Sequence, residues 1–410
     1  MEPKIRFKGF EGEWKEYSLG EVGSIYSGIG FPECEQGGRS GIPFYKVSDM
    51  NNQGNESIMH SSNNYVSDKQ IQRNHWKICS ETPAIFFAKV GAAVMLNRKR
   101  IVLEPCLCDN NTMMFSLSKD KWSTNFALPL FNNVDFPSLA QVGSLPSFNG
   151  SQVKEIKVKL PKFEEQEMVG KYFTSLDSQI SASTSRLASL KQMKAASLQA
   201  MFPQEGETVP KIRFKGFEGE WKKVKLNSFA KRVTRKNSHL ESTLALTIAS
   251  AHGLVSQIDY FNNLVVGSNI RNYYLLKKGE FAYNKSYSNG YPFGSVKRLE
   301  RYEQGILSTL YITFSIDNSI SSDYLTHFFD TNLWHKEVAE RAAEGARNHG
   351  LLNIGANDFL DINIWKPESK SEQQAIASYF TSLDRQISLQ SQRLEKLKQI
   401  KSACLDKMFV

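Results

Sequence analysis

Basic and aromatic side chains are grouped in loops in two parts of this 410-residue chain, where they could bind a polyanion. Lysine and arginine neutralise phosphates and release counterions, and arginine, asparagine and glutamine can form paired hydrogen bonds with base edges in the major groove. These residues therefore predict contacts with nucleic acid. The candidates are Lys46, Lys89, Arg98, Lys99, Arg100, Lys285, Tyr287, Asn289, Lys297, Arg298, Arg347 and Asn348. For any single one, a solvated surface position is the competing interpretation.

The composition fits a basic, folded protein with a polyanionic partner. The formal net charge is +9, and aromatic residues make up 11% of the chain, enough for ordinary hydrophobic cores. The five cysteines have no framework or metal-ligand spacing, so we expect free thiols, no metal site and a cytoplasmic location. No stretch approaches 18 consecutive apolar residues, so we expect no membrane span.

Motifs for common enzyme chemistry are missing from the sequence. It has no phosphate-binding loop, no complete G-x-G-x-x-G and no Asn-Pro-Pro-Tyr of an amino-group methyltransferase. Asp361, Glu368 and Lys370 resemble the acidic and lysine set of a metal-dependent nuclease. Ser369 and Glu372 beside them are better interpreted as a helix capping box, so we expect no catalytic site there. An enzyme whose site is invisible in the sequence stays an alternative.

The chain contains two copies of one frame. Residues Pro3–Trp14, PKIRFKGFEGEW, recur unchanged at Pro210–Trp221, and the segments 165–202 and 372–409 share the hexapeptide YFTSLD at the same offset. Between these blocks, residues 15–160 and 222–366 match in length without alignable identity. One frame with two unlike inserts predicts one architecture with two different surfaces.

The second repeated block predicts a long helix in each copy. Each helix would span nearly 40 residues, or roughly 58 Å, and its single apolar stripe needs a partner helix. We expect the two helices to pair antiparallel, which would make the protein a ruler with its inserts at opposite ends. The predicted pairing residues are Phe173, Leu176, Ile180, Leu187, Leu190, Phe380, Leu383, Ile387, Leu394 and Leu397.

Polar residues interrupt the apolar stripe at equivalent places in both copies, namely Ser183, Gln390, Lys194 and Lys401. They could fix the register of the pair at some cost in stability. Alternatively, the heptad phase drifts there and neighbouring apolar residues take over the contact. Those neighbours are Met193, Leu198, Ile400 and Leu405.

The inserts contain short β-prone runs separated by turn residues, such as 84–90, 92–96 and 112–117 in the first and 279–284, 309–316 and 359–365 in the second. Helices are predicted at 126–131 and 322–341. We therefore predict an α+β fold with two mixed α/β domains, two long antiparallel coiled-coil helices and an internal pseudo-two-fold repeat. The predicted segments are 1–163 (first domain), 164–202 (first helix), 203–209 (linker), 210–368 (second domain) and 369–410 (second helix).

The chain resembles the specificity (S) subunits of type I restriction-modification systems over essentially its whole length. The resemblance is carried by F-x-G-F-E-G-E-W at 7–14 and 214–221, by GIPFYKVSDM at 41–50, by KKGEFAYNKS with PFGSVKR within 277–298, and by YFTSLD in both helices. A proline beside each helix, Pro161 and Pro367, also matches. These motifs are weak singly and specific in their order and duplication.

The resemblance implies a non-catalytic DNA-binding subunit with two target recognition domains, each reading one half of a split, non-palindromic sequence. It also implies two modification subunits that bind S-adenosylmethionine and methylate adenine. Restriction subunits that use ATP and Mg²⁺ would join them, so this chain would need no cofactor of its own. The rival interpretation is a coiled-coil protein-binding scaffold with non-specific DNA affinity.

Overall fold

The computed structural model describes residues 2–140, 145–250, 253–262, 269–288, 290–342 and 352–409. The chain divides into two units: unit 1 comprises residues 1–185 and 392–410, and unit 2 comprises residues 186–391. The domain limits predicted from the sequence follow a different criterion and remain predictions. Among the described residues, no helix combines the length and the apolar character that a membrane span needs.

Unit 1 mixes short strands and helices between its frame segments. Its strands are β1 (Lys15–Ser18), β2 (Gly23–Ser27), β3 (Ile42–Tyr45), β4 (Tyr65–Val66), β5 (Ala84–Ala88), β6 (Lys99–Val102), β7 (Leu107–Cys108), β8 (Thr112–Leu117) and β9 (Lys157–Leu160). Its helices are α1 (Leu19–Val22), α2 (Asp68–Arg73), α3 (Thr124–Asn133), α4 (Gly150–Glu155) and the first part of α5 (Phe163–Ala200). The sheets have the orders β2-β8-β5-β6, β4-β3-β7 and β1-β9.

Unit 2 has a similar composition of elements. Its strands are β10 (Lys222–Lys225), β11 (Ala230–Arg232), β12 (Leu246–Ala249), β13 (Gly253–Ser256), β14 (Tyr274–Lys277), β15 (Phe281–Asn284), β16 (Ser295–Arg298), β17 (Gln304–Leu307), β18 (Ile312–Ile316) and β19 (Asn363–Lys366). Its helices are α6 (Gln257–Phe261), α7 (Ser322–Phe328), α8 (His335–Arg341), α9 (Ala356–Leu360) and the first part of α10 (Lys370–Met408). The four-stranded sheet has the order β11-β18-β15-β16, and β12-β13, β14-β17 and β10-β19 form pairs.

Each four-stranded sheet is antiparallel and has a central strand that is buried on both faces. In β5, Ile85 and Phe87 face the core that contains Trp14 and α3, whereas Phe86 faces a second cluster with Tyr45. The alternation of side chains along a strand explains this division. Strand β15 of unit 2 divides its side chains between two clusters in the same way. A continuous apolar run therefore forms the middle of each sheet.

The strands predicted at 84–90 and 112–117 are confirmed as β5 and β8, but the strand predicted at 92–96 is wrong. Residues Ala92–Leu96 form a 3-10 turn between Gly91, with φ of 84°, and Asn97, with φ of 49°. Backbone in this left-handed region cannot continue a strand, and glycine adopts it at no steric cost.

Two predictions in the second insert also need correction. In the predicted strand 359–365, residues up to Leu360 belong to α9, and the strand begins at Asn363. The predicted helix 322–341 is split into α7 and α8. Thr331 causes the break, because its hydroxyl donates to the Phe328 carbonyl and accepts from the Leu333 amide, replacing helical hydrogen bonds.

The repeated frame makes the same buried ion pair in each unit. Arg6 donates from Nε and Nη2 to the two oxygens of Glu165, both at 2.8 Å, and Arg213 makes the equivalent pair with Glu372 at 2.7 and 2.8 Å. The two glutamates are only 2% and 1% exposed. The capping box predicted at Ser369 is therefore half-formed: its hydroxyl accepts from the Glu372 amide, while the Glu372 carboxylate serves Arg213.

In unit 1, the first part of α5 packs against the last part of α10. Tyr172 Oη lies 3.5 Å from Cys404 Sγ, and Lys401 Nζ lies 2.5 Å from Asp177 Oδ1. Residue numbers rise along α5 while those of the partners fall along α10. The two segments in unit 1 therefore run antiparallel.

Unit 2 pairs the last part of α5 with the first part of α10. Lys194 Nζ lies 2.8 Å from Asp384 Oδ1, and the Ser197 and Tyr379 hydroxyls lie 2.9 Å apart, so these segments also run antiparallel. The predicted pairing residues Phe173, Leu176, Leu190, Phe380, Leu383, Leu394 and Leu397 are buried, and Ile180, Leu187 and Ile387 are half-buried.

Both interpretations of the polar breaks hold in part. Lys194 and Lys401 each pair with an aspartate of the facing helix, and Ser183 and Gln390 are buried. Leu198, Ile400 and Leu405 pack against the cores, as phase drift would require, but Met193 is 50% exposed.

Candidate nucleic-acid interface

The side chains of three candidate cations in unit 1 donate hydrogen bonds to neutral side chains. Lys89 follows β5 and donates to Ser27 Oγ at the end of β2, at 2.7 Å. Arg98 donates to Asn51 Oδ1 at 2.7 Å, and Lys46 donates to Gln36 Oε1 at 3.2 Å. Each of these residues is half-buried. All three can attract a phosphate.

Lys99 is different, because it lies inside unit 1 and is only 1% exposed. Its Nζ donates to Asn97 Oδ1 and to the Val134 carbonyl, both at 2.6 Å, and lies 4.9 Å from the centre of the Phe136 ring. Burial lowers the pKa of Lys99 to about 7. This position does not favour the predicted DNA contact of Lys99, because a buried amine does not reach a phosphate.

Arg100 next to it is half-buried, and its guanidinium donates to the carbonyl oxygens of Asn55, Lys99 and Met50. The bonds to Asn55 and Met50 tie β6 to the loop that precedes β4. The arrangement favours a structural role for Arg100.

In unit 2, the predicted residues Lys297 and Arg298 are already neutralised. Lys297 Nζ lies 3.1 Å from Asp330 Oδ1, and Arg298 Nη2 lies 2.6 Å from Asp323 Oδ1 and 2.7 Å from Glu300 Oε1. An ion-paired cation offers less to a phosphate than a free one. Both residues therefore hold β16 against α7 and its following turn.

Of the other candidates of unit 2, the structure describes Lys285 and Tyr287. Lys285 is half-buried, and Tyr287 is 61% exposed, which leaves its ring free to contact a base or sugar. Asn289, Arg347 and Asn348 lie outside the described residues.

His327, Asp330 and Asp384 could together offer ligand atoms to a metal ion, because these atoms lie within 4.8 Å of one another. The ammonium of Lys194 lies between the carboxylates, 2.9 Å from Asp330 and 2.8 Å from Asp384. Burial alone would raise the pKa of Asp330. The His327 ring, whose Nδ1 lies 3.8 Å from Asp330 Oδ2, and the charges of Lys297 and Lys194 outweigh burial and hold this pKa well below its ordinary range. Lysine thus supplies the positive charge that a metal would bring.

The nuclease-like residues of the second insert do not form one site. The Asp361 carboxylate accepts from Lys225 at 2.6 Å, the Glu368 carboxylate accepts from Lys222 at 2.8 Å, and Lys370 donates to the Asn318 carbonyl. These are separate contacts, each with its own partner. The three residues are therefore interpreted as members of separate surface contacts and not of a catalytic site.

The sequence prediction missed a basic segment in unit 2. Four of the six residues from Lys231 to Lys236 are lysine or arginine, and they lie on the edge strand β11 and the chain that follows it. Arg232 and Lys236 both contact Tyr274, and Arg271 lies beside the segment, donating to the Ser238 carbonyl at 2.6 Å. The charge run was a visible signal, but no motif marked it.

Comparison with known proteins agrees with the interpretation of these cations as part of a nucleic-acid interface. The family described as "Type I restriction modification DNA specificity domain" matches residues 11–192. A search of the curated proteins finds no match.

Solved structures match the chain over nearly its full length. A type I restriction-modification S subunit from M. genitalium is 12% identical, with a TM-score of 0.62 over 100% of this chain and 99% of that one. A chain from a study of complex assembly and conformational transition in the type I R-M system is 14% identical, with a TM-score of 0.52 over 97% and 98% of the two chains. At these identities the likeness shows a shared fold. Residues 11–192 thus match the type I specificity-domain family, and the whole chain is similar in fold to type I restriction-modification specificity (S) subunits.

Proposed function

We propose that this chain reads a bipartite, asymmetric DNA target and assigns one half of it to each unit. The observation that carries the proposal is that one frame, with the same Arg–Glu pair and the same four-stranded sheet order, supports two inserts with unlike surfaces. Different side chains on a common scaffold present different hydrogen-bond patterns to base edges. Two unrelated half-sites follow from two unrelated inserts.

Within this proposal, α5 and α10 act as an antiparallel coiled-coil spacer of an internal pseudo-two-fold repeat. The antiparallel contacts inside each unit support it, as do the equivalent pairs Lys401–Asp177 and Lys194–Asp384. The proposed DNA contacts are Lys46, Lys89, Arg98, Lys285 and Tyr287, with Asn289, Arg347 and Asn348 from the sequence. The five described residues would bind backbone or base edges from segments that the sheets of their units position.

The chemistry would belong to partner subunits in the cytoplasm. We propose two modification subunits with S-adenosylmethionine, which methylate adenine, and restriction subunits with ATP and Mg²⁺. This chain would bring no catalytic residue or cofactor of its own. One of the similar solved chains comes from a study of complex assembly in the type I R-M system, and this likeness supports the proposal of such partners.

Genome-wide mapping of adenine methylation tests the proposal. The chain is expressed with its modification subunits in cells that lack other adenine methylation, and a strain with the modification subunits alone is the control. We expect one split, non-palindromic motif with a fixed gap, methylated only when the chain is present.

A scaffold with non-specific DNA affinity would give a different result. Methylation that is absent from a well-formed, cofactor-binding complex, or that lacks sequence preference, would contradict the proposed function. Binding by such a scaffold would be salt-sensitive and equal for all sequences.

A further inference from the structure

We propose that the chain segment Lys231–Lys236, together with Arg271, is a phosphate-binding strip through which unit 2 holds the DNA backbone. The inference rests on the proposed function and deepens it, because it assigns the salt-dependent part of binding to one unit. The matching edge of unit 1 would contribute little of this charge. The strip binds any duplex, whereas base reading belongs to other residues.

The backbone of the strip is fixed before any ligand arrives. Val233 N donates to the Thr313 carbonyl at 2.8 Å, Leu275 N donates to the Arg235 carbonyl at 2.8 Å, and Asn237 N donates to the Tyr273 carbonyl at 3.1 Å. The strip is thus tied first to β18 and then to β14. A segment that is already ordered loses little conformational entropy when it binds.

A buried asparagine secures the end of the strip. Asn237 is 0% exposed; its Nδ2 donates to the Ser242 carbonyl at 2.8 Å and its Oδ1 accepts from the Ser242 amide at 3.1 Å. This closes the loop that follows Lys236. The cations before it therefore keep a defined position.

Four cations of the strip are exposed and lie outside the ion pairs of the described residues, although the charge of Lys231 helps the Ser319 hydrogen bonds to lower the pKa of Asp317. Lys231, Arg232, Lys236 and Arg271 are all exposed, and within the described residues none of them makes an ion pair. Only Arg235 is neutralised, by Glu280 Oε2 at 2.7 Å. Such a surface attracts a polyanion, and it differs from the acid-paired cations on β16.

Tyr274 brings two of these cations together. Its hydroxyl accepts from Arg232 Nη2 at 3.4 Å, and Lys236 Nζ lies 4.5 Å from the ring centre. Lys236 also donates to the Asn272 carbonyl at 2.7 Å. Neutral oxygens and a ring face orient the two charges without cancelling them, so both remain available to phosphates.

Protection of a sheet edge is the competing explanation, since lysine on an edge strand blocks pairing with other chains. It accounts for Lys231 and Arg232, which lie on β11. It does not account for Lys236 or for Arg271, which lies in a 3-10 turn at Ile270–Asn272. Cations from separate chain segments that converge on one strip favour a polyanion as ligand.

Salt-dependent DNA binding tests the inference. The full-length chain and the variant Lys231→Gln/Arg232→Gln/Lys236→Gln are titrated against a fluorescein-labelled duplex of mixed sequence, between about 50 and 200 mM salt. We expect the slope of log affinity against log salt to become less negative by about 3, about 1 for each side chain. Binding at the lowest salt should weaken at least tenfold.

The matched control removes the same charge elsewhere in unit 2. Lys222→Gln/Lys278→Gln/Lys336→Gln takes three exposed lysines that pair with Glu368, Glu303 and Glu205. This variant should change the slope by less than about 1. The double variant Lys231→Arg/Lys236→Arg should retain the wild-type slope, which separates loss of charge from loss of fold.

Three results would overturn the inference. An unchanged slope in the first variant would remove the strip from the interface. An equal change of slope in the control would show that the effect depends on net charge and not on the position of the strip. If the wild-type chain binds no duplex, the strip and the proposed function both fail, whereas a split methylation motif with an unchanged slope removes the strip alone.

Discussion

The edge strands β2 and β11 occupy the same place in sheets of the same order, but their chemistry differs. Strand β2 reads Gly23–Ser27 without a charged residue, while β11 and its continuation present Lys231, Arg232 and Lys236. Both strands pair antiparallel with the neighbouring strand, so the fold does not depend on the charges. The comparison distinguishes the strand pairing, which is the same in both units, from the surface charge, which differs between the two inserts.

The contacts of the repeated frame and its helices show the opposite behaviour, because they are the same in both units. The Arg–Glu pairs, the Lys–Asp pairs of the helices and the hydroxyl or thiol contact of the tyrosines recur at equivalent positions. Breaking a shared contact should therefore damage both units alike. Breaking a contact found in one unit should damage that unit alone.

Removal of the shared arginine should have the largest effect. Arg6→Ala in unit 1 and Arg213→Ala in unit 2 each leave a buried glutamate without its partner, and we expect each to lower the free energy of unfolding of its own unit by about 4 kcal/mol. Hydrogen exchange resolved by unit measures the loss. Lys211→Ala, which breaks an exposed pair with Glu207, is the control and should cost less than about 0.5 kcal/mol. A large effect in only one unit would contradict the shared frame.

The helix lysines should sharpen the contrast between the units. Lys194→Met removes a cation that serves both Asp330 and Asp384, and we expect unit 2 to lose about 3 kcal/mol. Lys401→Met removes one half-exposed pair with Asp177, and unit 1 should lose about 1 kcal/mol. The same unit-resolved exchange experiment compares them. Equal losses would show that Asp330 does not depend on Lys194.

The buried amine of Lys99 should give unit 1 a distinct pH dependence. Its pKa is about 7 in the folded chain and 10.5 in the unfolded chain, so between these values the unfolded state binds more protons and stability rises with pH. From pH 7 to 9 we expect unit 1 to gain about 2 kcal/mol, measured by urea unfolding with a reporter in that unit. Lys99→Met should flatten the rise, and exposed Lys119→Met should leave it intact. A rise that survives in Lys99→Met would assign it to another group.

The frame could be predicted from the sequence because its signals are local and occur twice. The helices begin at Phe163 and Lys370, within one residue of the predicted starts at 164 and 369. An apolar helical period that continues over so many residues predicts a helix whatever the surrounding tertiary structure. The run Ala92–Leu96 was too short for such certainty, and two left-handed residues at its ends turned it into a helical turn.

The candidate site was harder to predict because a cation's availability depends on its neighbours in space. Lys297 and Lys99 have ordinary sequence surroundings, yet one pairs with Asp330 and the other is buried beside Phe136. The strip at Lys231–Lys236 shows the reverse case. Its charges are obvious in the sequence, but only the fold shows that Lys231, Arg232 and Lys236 are exposed and make no ion pair with the described residues.

An exchange of inserts tests the central claim most directly. Residues 222–366 are replaced by the corresponding insert of a relative with a different recognition sequence, and adenine methylation is mapped in cells that make the modification subunits. If each unit reads one half-site, the half assigned to unit 2 changes and the other half and the gap stay the same. A change in both halves, or in neither, would contradict the account.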